Sequence, residues 1–215
     1  MAKSSDPAQL QAALAQGLAP LDLKLADATQ TQLVQFVALL AKWNRAYNLT
    51  AVREPAAMIS RHLLDSLAVL PHLHGPRVLD VGSGAGLPGI PLALARPDWQ
   101  FTLLDSNGKK TRFITQAVTE LGLANVTVVQ SRVEDYQDAS GFDTVITRAF
   151  AAVAAVVTAT ARLCAPQGQL LLMKGVYPEQ ELAELPSAYE LQSAVRVQVP
   201  GLDAERHLLV IRSRK

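Results

Sequence analysis

The chain contains 215 residues, of which 49% are hydrophobic and 18% charged, and its formal net charge is +1. This length and composition are sufficient for a full hydrophobic core and exclude a disordered chain. The near-neutral charge excludes binding of nucleic acid through the field of the whole molecule, so a nucleic-acid partner requires a local basic patch.

The cysteine content and the apolar stretches indicate the cellular compartment in which the protein is expected. The single cysteine, Cys164, excludes a disulfide framework, and it is either a core thiol or a nucleophile without a recognisable motif. Residues 1–7 lack the apolar region of a signal peptide. The apolar stretch 149–161 is shorter than the roughly 20 residues of a membrane-spanning helix. We therefore expect a cytoplasmic protein without a membrane partner.

Two helical patterns precede the first strand. In residues 1–26, leucines recur every fourth position at Leu10, Leu14 and Leu18, which predicts a helix that packs on the surface of the domain. A second and longer helix follows residue 27 and presents a core-facing stripe. This stripe consists of Leu33, Phe36, Val37, Leu40, Trp43 and Tyr47.

A basic stretch, residues 42–62, follows at the end of the long helix. Its charged residues are Lys42, Arg45, Arg53 and Arg61 against Glu54. Basic side chains neutralise phosphates and aromatic rings stack on unpaired bases, so the stretch suits RNA. The alternative is a solvated helix face with its two aromatic rings in the core.

Three histidines occur in or near a predicted helix over residues 55–70. His62 and Asp65 lie three residues apart on one side of it, either as a substrate-facing pair or as a structural hydrogen bond. His72 and His74 have the spacing of metal ligands on a strand, but no third ligand is near. We therefore interpret them as loop histidines and expect no metal.

The central motif is a short buried strand, residues 77–81, followed by Gly82, Gly84 and Gly86. Glycine permits positive φ and close approach of a ligand, and the amides at the start of the following helix are expected to face its polar groups. The Gly-Lys-Ser/Thr ending of a P-loop is missing, and a dinucleotide fingerprint would start two residues late, at Gly84. The spacing resembles the first motif of Rossmann-like S-adenosylmethionine methyltransferases. A nicotinamide or flavin enzyme and a turn without a ligand are the alternatives.

Charged residues end several of the predicted strands. Strands are predicted over residues 100–105, 125–129, 142–147, 168–175, 191–199 and 207–212, with a helix over 149–163. The carboxyl ends of parallel strands meet at one edge of a sheet. We therefore expect Asp105, Arg148 and Lys174 to surround one crevice, where Asp105 can accept hydrogen bonds from both hydroxyls of a ribose.

The order of these elements predicts an α/β protein with the Rossmann-like fold of the class I S-adenosylmethionine methyltransferases. We expect a seven-stranded, mostly parallel sheet that ends in a β-hairpin, with an N-terminal helical extension. The extension is placed at residues 1–75 and the methyltransferase domain, one compact unit, at residues 76–215. A monomer is expected.

The methyl acceptor is indicated by what the sequence lacks. It contains neither the Asn/Asp-Pro-Pro-aromatic tetrad used for exocyclic amines nor the Pro-Cys nucleophile used for C5 of a pyrimidine. A ring nitrogen such as guanine N7 carries a free lone pair and needs alignment with the methyl group but no general base. The sequence therefore agrees with such an acceptor.

Seven motifs occur in a characteristic order: Lys42–Thr50, Arg61–Ser66, Val81–Pro91, Asp105–Ser106 with Lys109–Lys110, Arg132–Glu134, Thr147–Ala149 and Glu205–Arg212. Together they resemble the bacterial 16S rRNA guanine-N7 methyltransferases, the glucose-inhibited division B family, from about residue 30 to the C-terminus. The resemblance implies methylation of the guanine at position 527 of 16S rRNA, in the small ribosomal subunit or its precursor. The implied donor is S-adenosylmethionine, and the product is S-adenosylhomocysteine. Many relatives carry proline where this chain has Ala85, which we expect to loosen the turn slightly.

The resemblance also implies roles for individual residues. The implied cofactor contacts are Gly82, Gly84, Leu87, Asp105, Val133, Glu134 and Arg148. The candidate RNA contacts are Arg45, Asn48, His62, Lys109, Arg132 and Lys174. Arg148 is also the candidate for positioning the substrate, and no catalytic acid or base is assigned. The alternative functions are methylation of another RNA or a small molecule, and a non-catalytic RNA-binding module of ribosome assembly.

Overall fold

A computed structural model describes residues 6–148 and 151–214. Its strands are β1 (Arg77–Val81), β2 (Gln100–Asp105), β3 (Val126–Gln130), β4 (Phe142–Arg148), β5 (Cys164–Lys174), β6 (Tyr189–Arg196) and β7 (His207–Ser213). They form one sheet in the order β3-β2-β1-β4-β5-β7-β6. Strand β7 is antiparallel to both of its neighbours, and strands β1 to β5 are parallel. The predicted fold class, with its terminal hairpin, is confirmed.

Helices cover both faces of the sheet. They are α1 (Pro7–Leu18), α2 (Asp27–Tyr47), α3 (Pro55–Met58), α4 (Asp65–Leu67), α5 (Gly89–Ala95), α6 (Gly108–Leu121), α7 (Val153–Thr160) and α8 (Glu179–Ala183). A π-helical segment, Ile59–Leu64, joins α3 to α4, and residues 55–67 are called the π-bulged helix below. None of the helices in the described ranges has the length and apolar character of a membrane span.

Several predicted boundaries need correction. The helix expected over residues 55–70 ends at Leu67 and contains the π-helical segment. The helix expected over 149–163 begins at Val153, and residues 149 and 150 lie outside the described residues. Strand β5 begins at Cys164, earlier than expected, and α8 was not predicted.

The central strands are apolar on both faces. On β1, Val78 packs into the core layer shared with the N-terminal helices, whereas Leu79 and Val81 pack into the layer on the opposite face. This follows from the two-residue period of a strand. The same period places Asp80 on the face of Val78, so its carboxylate is fully buried.

The N-terminal extension packs directly against the sheet domain. Leu14 is fully buried in the same core layer as Val78, so the expectation of a surface helix holds for one face of α1 only. The amide of Gln32 donates to the carbonyl of Leu121 at 3.0 Å. The Trp43 ring lies 5.7 Å from that of Phe113 on α6. These contacts fasten α1 and α2 to the sheet domain.

Candidate active site

The turn after β1 depends on its glycines. Gly82, Gly84 and Gly86 have φ values of 71°, 58° and 76°. A Cβ on Gly84 would meet nothing closer than the Gly82 carbonyl, at 3.8 Å, whereas one on Gly86 would lie 2.7 Å from Cδ1 of Ile90. Gly84 therefore leaves space in front of the turn, and Gly86 allows close packing behind it.

Two amides of this turn have side-chain partners within the protein, and the one at the start of the following helix therefore does not face a ligand as expected. The Gly84 amide donates to Oδ2 of Asp105 at 2.8 Å, and the first amide of α5, that of Gly89, donates to Oδ2 of Asp80 at 2.8 Å. Burial raises the pKa of Asp80 to about 7. Its Oδ1 has no hydrogen-bond partner among the described residues. The two carboxylates therefore set the shape of the turn.

A first cavity of about 520 Å³ opens at the carboxyl edge of the sheet, in front of this turn. The structure brings all seven predicted cofactor residues into its lining: Gly82, Gly84, Leu87, Asp105, Val133, Glu134 and Arg148. Leu49 and Thr50, from the loop after α2, close it from the side of the extension. The extension therefore contributes to the site.

The lining of the first cavity fits S-adenosylmethionine. The two oxygens of Asp105 each accept one amide, from Asn107 at 2.8 Å and from Gly84, and Nζ of Lys110 lies 3.9 Å away. Each carboxylate oxygen has a second lone pair, which suits the two hydroxyls of a ribose. The volume also lies within the range of about 300–1,000 Å³ that is usual for ligand pockets.

A second cavity of about 610 Å³ adjoins the first. Arg148, at the end of β4, lines both cavities. Its Nη1 donates to Oδ2 of Asp65 at 3.1 Å, and Nε of Arg206 donates to Oδ1 of the same carboxylate at 2.7 Å. Asp65 is only 3% exposed. The boundary between the cavities is thus an arginine held by a buried carboxylate.

Both ring nitrogens of His62 have hydrogen-bond partners within the protein. Its Nδ1 donates to the carbonyl of Arg61 at 2.9 Å, so Nε2 is left to accept from the hydroxyl of Thr50, also at 2.9 Å. Burial lowers the pKa of His62 to about 4, with a smaller contribution from the charge of Arg148. Because of this lowered pKa, His62 is neutral near pH 7, and Asp65 pairs with arginines instead of with His62.

The predicted RNA contacts are dispersed around the two cavities. Arg132 lines the first cavity, and His62 and Lys174 line the second. The Lys174 ammonium is 2.7 Å from Oε2 of Glu181 and also donates to a backbone carbonyl. Three further candidates lie outside both linings: Arg45, Asn48 and Lys109. All six remain predictions.

Sequence reasoning missed the roles of two residues. Arg206 belongs to a motif of the resemblance, but it is 141 residues from Asp65, so no spacing rule connects them. Asp80 lies in the predicted strand over residues 77–81, and the sequence pattern assigns it no role. Its position just before the glycines, on the buried face of β1, is the signal that could have assigned it to the turn.

Cys164 and the pair His72 and His74, which were considered from the sequence as a nucleophile and as metal ligands, line neither cavity. Burial raises the pKa of the Cys164 thiol to about 12, which disfavours the thiolate that a nucleophile requires. Within residues 6–148 and 151–214, no three His, Cys, Asp or Glu side chains are grouped to hold a metal ion.

Comparisons with known proteins identify the family. Residues 29–209 match the family described as rRNA small subunit methyltransferase G. The chain is 52% identical over 206 residues to the ribosomal RNA small subunit methyltransferase G of Nitrosospira multiformis, covering 93% of this chain and 95% of that protein. It is 56% identical over 185 residues to the protein of the same name from Aeromonas salmonicida, covering 86% and 89%.

Solved structures agree on the fold. An S-adenosylmethionine-dependent methyltransferase from Thiobacillus denitrificans, in complex with S-adenosylhomocysteine, superimposes with a TM-score of 0.53 and 16% identity. The match covers 70% of this chain and 90% of that one. The structural match supports only the fold, whereas the sequence matches cover nearly the whole chain and identify the family. The chain belongs to the rRNA small subunit methyltransferase G family.

Proposed function

We propose that this protein transfers the methyl group of S-adenosylmethionine to N7 of a single guanine in 16S rRNA, the guanine at position 527. Family membership makes it an S-adenosylmethionine-dependent rRNA methyltransferase. The acceptor atom, the nucleotide and the site residues are the proposal. Bound in the first cavity, the cofactor supplies an electrophilic methyl group.

One observation carries the choice of N7. The histidine in the lining of the second cavity, His62, is buried, and both of its ring nitrogens are hydrogen-bonded within the protein. It is therefore unavailable to remove a proton from an acceptor. N7 of guanine has no proton to remove, so binding and alignment are sufficient for transfer.

The geometry supports division of the site between cofactor and nucleotide. In this proposal Asp105 binds the ribose hydroxyls, Val133 and Glu134 flank the adenine, and Arg148 stands between cofactor and substrate. The enzyme acts in the cytoplasm, as a monomer, on the small ribosomal subunit or its precursor.

The test is methylation of small subunits isolated from a strain that lacks the gene. The purified protein is incubated with them and labelled S-adenosylmethionine, and the rRNA is digested to nucleosides. We expect label in 7-methylguanosine, mapped to one position by chemical cleavage at that base. Label in another nucleoside would refute the acceptor, and cofactor binding without any labelled rRNA would point to a different substrate.

A further inference from the structure

A buried carboxylate with two arginines joins three distant parts of the chain. Asp65 lies on the π-bulged helix, Arg148 at the end of β4 and Arg206 in the connection before β7. The two guanidinium groups contact opposite oxygens of Asp65, at 3.1 Å and 2.7 Å. One carboxylate cannot neutralise both arginines, so the cluster retains one positive charge.

This charge faces the second cavity. The ionisable lining consists of Arg61, His62, Arg148, Lys174 and Arg206 with Asp65 and Asp203. Because Lys174 is paired with Glu181 and His62 is neutral, the positive charge is carried by the arginines. A basic cavity beside a cofactor cavity suits a nucleotide with its phosphate.

The two arginines of the cluster are accessible from the second cavity. The side chains of Arg148 and Arg206 are 25% and 28% exposed, and both line this cavity. In the described part of the chain, Nη2 of each arginine has no hydrogen-bond partner. Both arginines therefore retain donors for a ligand.

Resting on the proposed function, we infer that the second cavity receives the target guanine nucleotide, that Arg206 binds its phosphate, and that Asp65 positions both arginines. Guanine presents the acceptor O6 beside N7, whereas adenine presents an amino donor there. A donor from Arg148 to O6 favours guanine and leaves N7 free. Asp65 is a positioning residue, because it acts through the arginines.

The experiment compares Arg206→Gln, Arg206→Lys and Asp65→Asn with the matched control Arg196→Gln. Arg196 lies on the same hairpin, is 67% exposed and pairs with Glu205, so the control removes the same charge outside the second cavity. Each variant is assayed for kcat and KM with small subunits, for S-adenosylmethionine affinity by calorimetry and for thermal unfolding.

We expect Arg206→Gln to raise the KM for subunits roughly tenfold or more, with unchanged cofactor affinity. Arg206→Lys keeps the charge but loses the hydrogen bond from Nε to the Asp65 carboxylate, so its KM should lie between those of the wild type and Arg206→Gln. Asp65→Asn also lowers kcat, because Arg148 loses its partner. Arg196→Gln behaves like the wild type. If Asp65→Asn does not fold, the two Arg206 variants decide.

Two results would overturn this inference. One is a KM for Arg206→Gln equal to that of Arg196→Gln. The other is a loss of S-adenosylmethionine affinity in Arg206→Gln that accompanies the rise in KM, because it would assign Arg206 a structural role. Failure of the proposed function is distinguishable, since the wild type would then place no methyl group on N7. If the wild type methylates N7 and Arg206→Gln has an unchanged KM, only the inference about Arg206 fails, and the proposed function stands.

Discussion

At the scale of single residues, the Asp105 carboxylate has one partner in the turn and is proposed to have another in the cofactor. It accepts the amide of Gly84, and its remaining lone pairs are free for the ribose hydroxyls that we propose it binds. We expect Asp105→Ala to weaken S-adenosylmethionine binding by about 1–3 kcal/mol, because a charge-assisted hydrogen bond is lost. Titration calorimetry measures this. Asp98→Ala, an exposed acid just before β2, is the control, and equal affinities for both variants would contradict the assignment.

Asp80 adds a pH dependence to stability. Folding raises its pKa from 3.8 to about 7, so between these values the folded state holds a proton that the unfolded state releases. The stability contributed by the protonated group is therefore lost as the pH rises from about 4 to about 7. Asp80→Asn cannot ionise but keeps an oxygen for the Gly89 amide.

We expect the stability of Asp80→Asn relative to the wild type to increase between about pH 4.5 and about pH 7. Denaturant unfolding without cofactor measures it. His62, whose pKa is lowered to about 4, has the opposite pH dependence, but it is present in both proteins and cancels in the difference. A difference that does not change with pH would show that Asp80 ionises freely in the folded protein.

At the scale of elements, the glycine turn has one side that faces the first cavity and another that packs against the protein core. Gly84→Ala places a methyl group in front of the turn at positive φ, so we expect about 1–2 kcal/mol of destabilisation and at least tenfold weaker cofactor binding. Gly86→Ala adds a clash with buried Ile90 to a similar φ cost, so its loss of stability is larger.

Calorimetry and chemical denaturation on the two glycine variants separate these effects. Gly84→Ala should lose more cofactor affinity than Gly86→Ala. Gly86→Ala should lose more folding stability than Gly84→Ala. If the two variants lose stability equally, the division of the turn into a ligand side and a packing side is wrong.

At the scale of the whole molecule, the extension and the sheet domain share a core layer. The chain has two tryptophans, Trp43 in the extension and Trp99 just before β2. Gly75 lies so close to Trp99 that a Cβ there would be 2.4 Å from the indole ring, which ties the end of the extension to the sheet.

We expect the extension to unfold together with the domain. The variants Trp43→Phe and Trp99→Phe each leave one fluorescent reporter, and their denaturant midpoints should agree after correction for the stability change of each substitution. Far-ultraviolet circular dichroism on both variants is the control for global unfolding. A fluorescence transition for one reporter that precedes the dichroism transition would show an independently unfolding extension.

Much of the fold was predictable because its signals are local. The apolar strand residues, the glycines after Val81 and the acid at the end of β2 act through the backbone and through a two-residue period, and β2 was predicted with the bounds that the structure shows. The predicted cofactor residues line one cavity because parallel strands end at one edge of the sheet. The π-helical segment was not predictable, because a widened helical turn has no residue signature.

The sequence by itself determined the fold class, the glycine turn and, through its ordered motifs, the family. Only the tertiary structure decided that the first cavity adjoins a second one, that His62 is committed to Thr50 and that Asp65 joins Arg148 to Arg206. The reason is physical. Local patterns specify backbone conformation and burial, whereas the partner of a buried charge is set by which distant elements pack together, and no spacing along the chain encodes that.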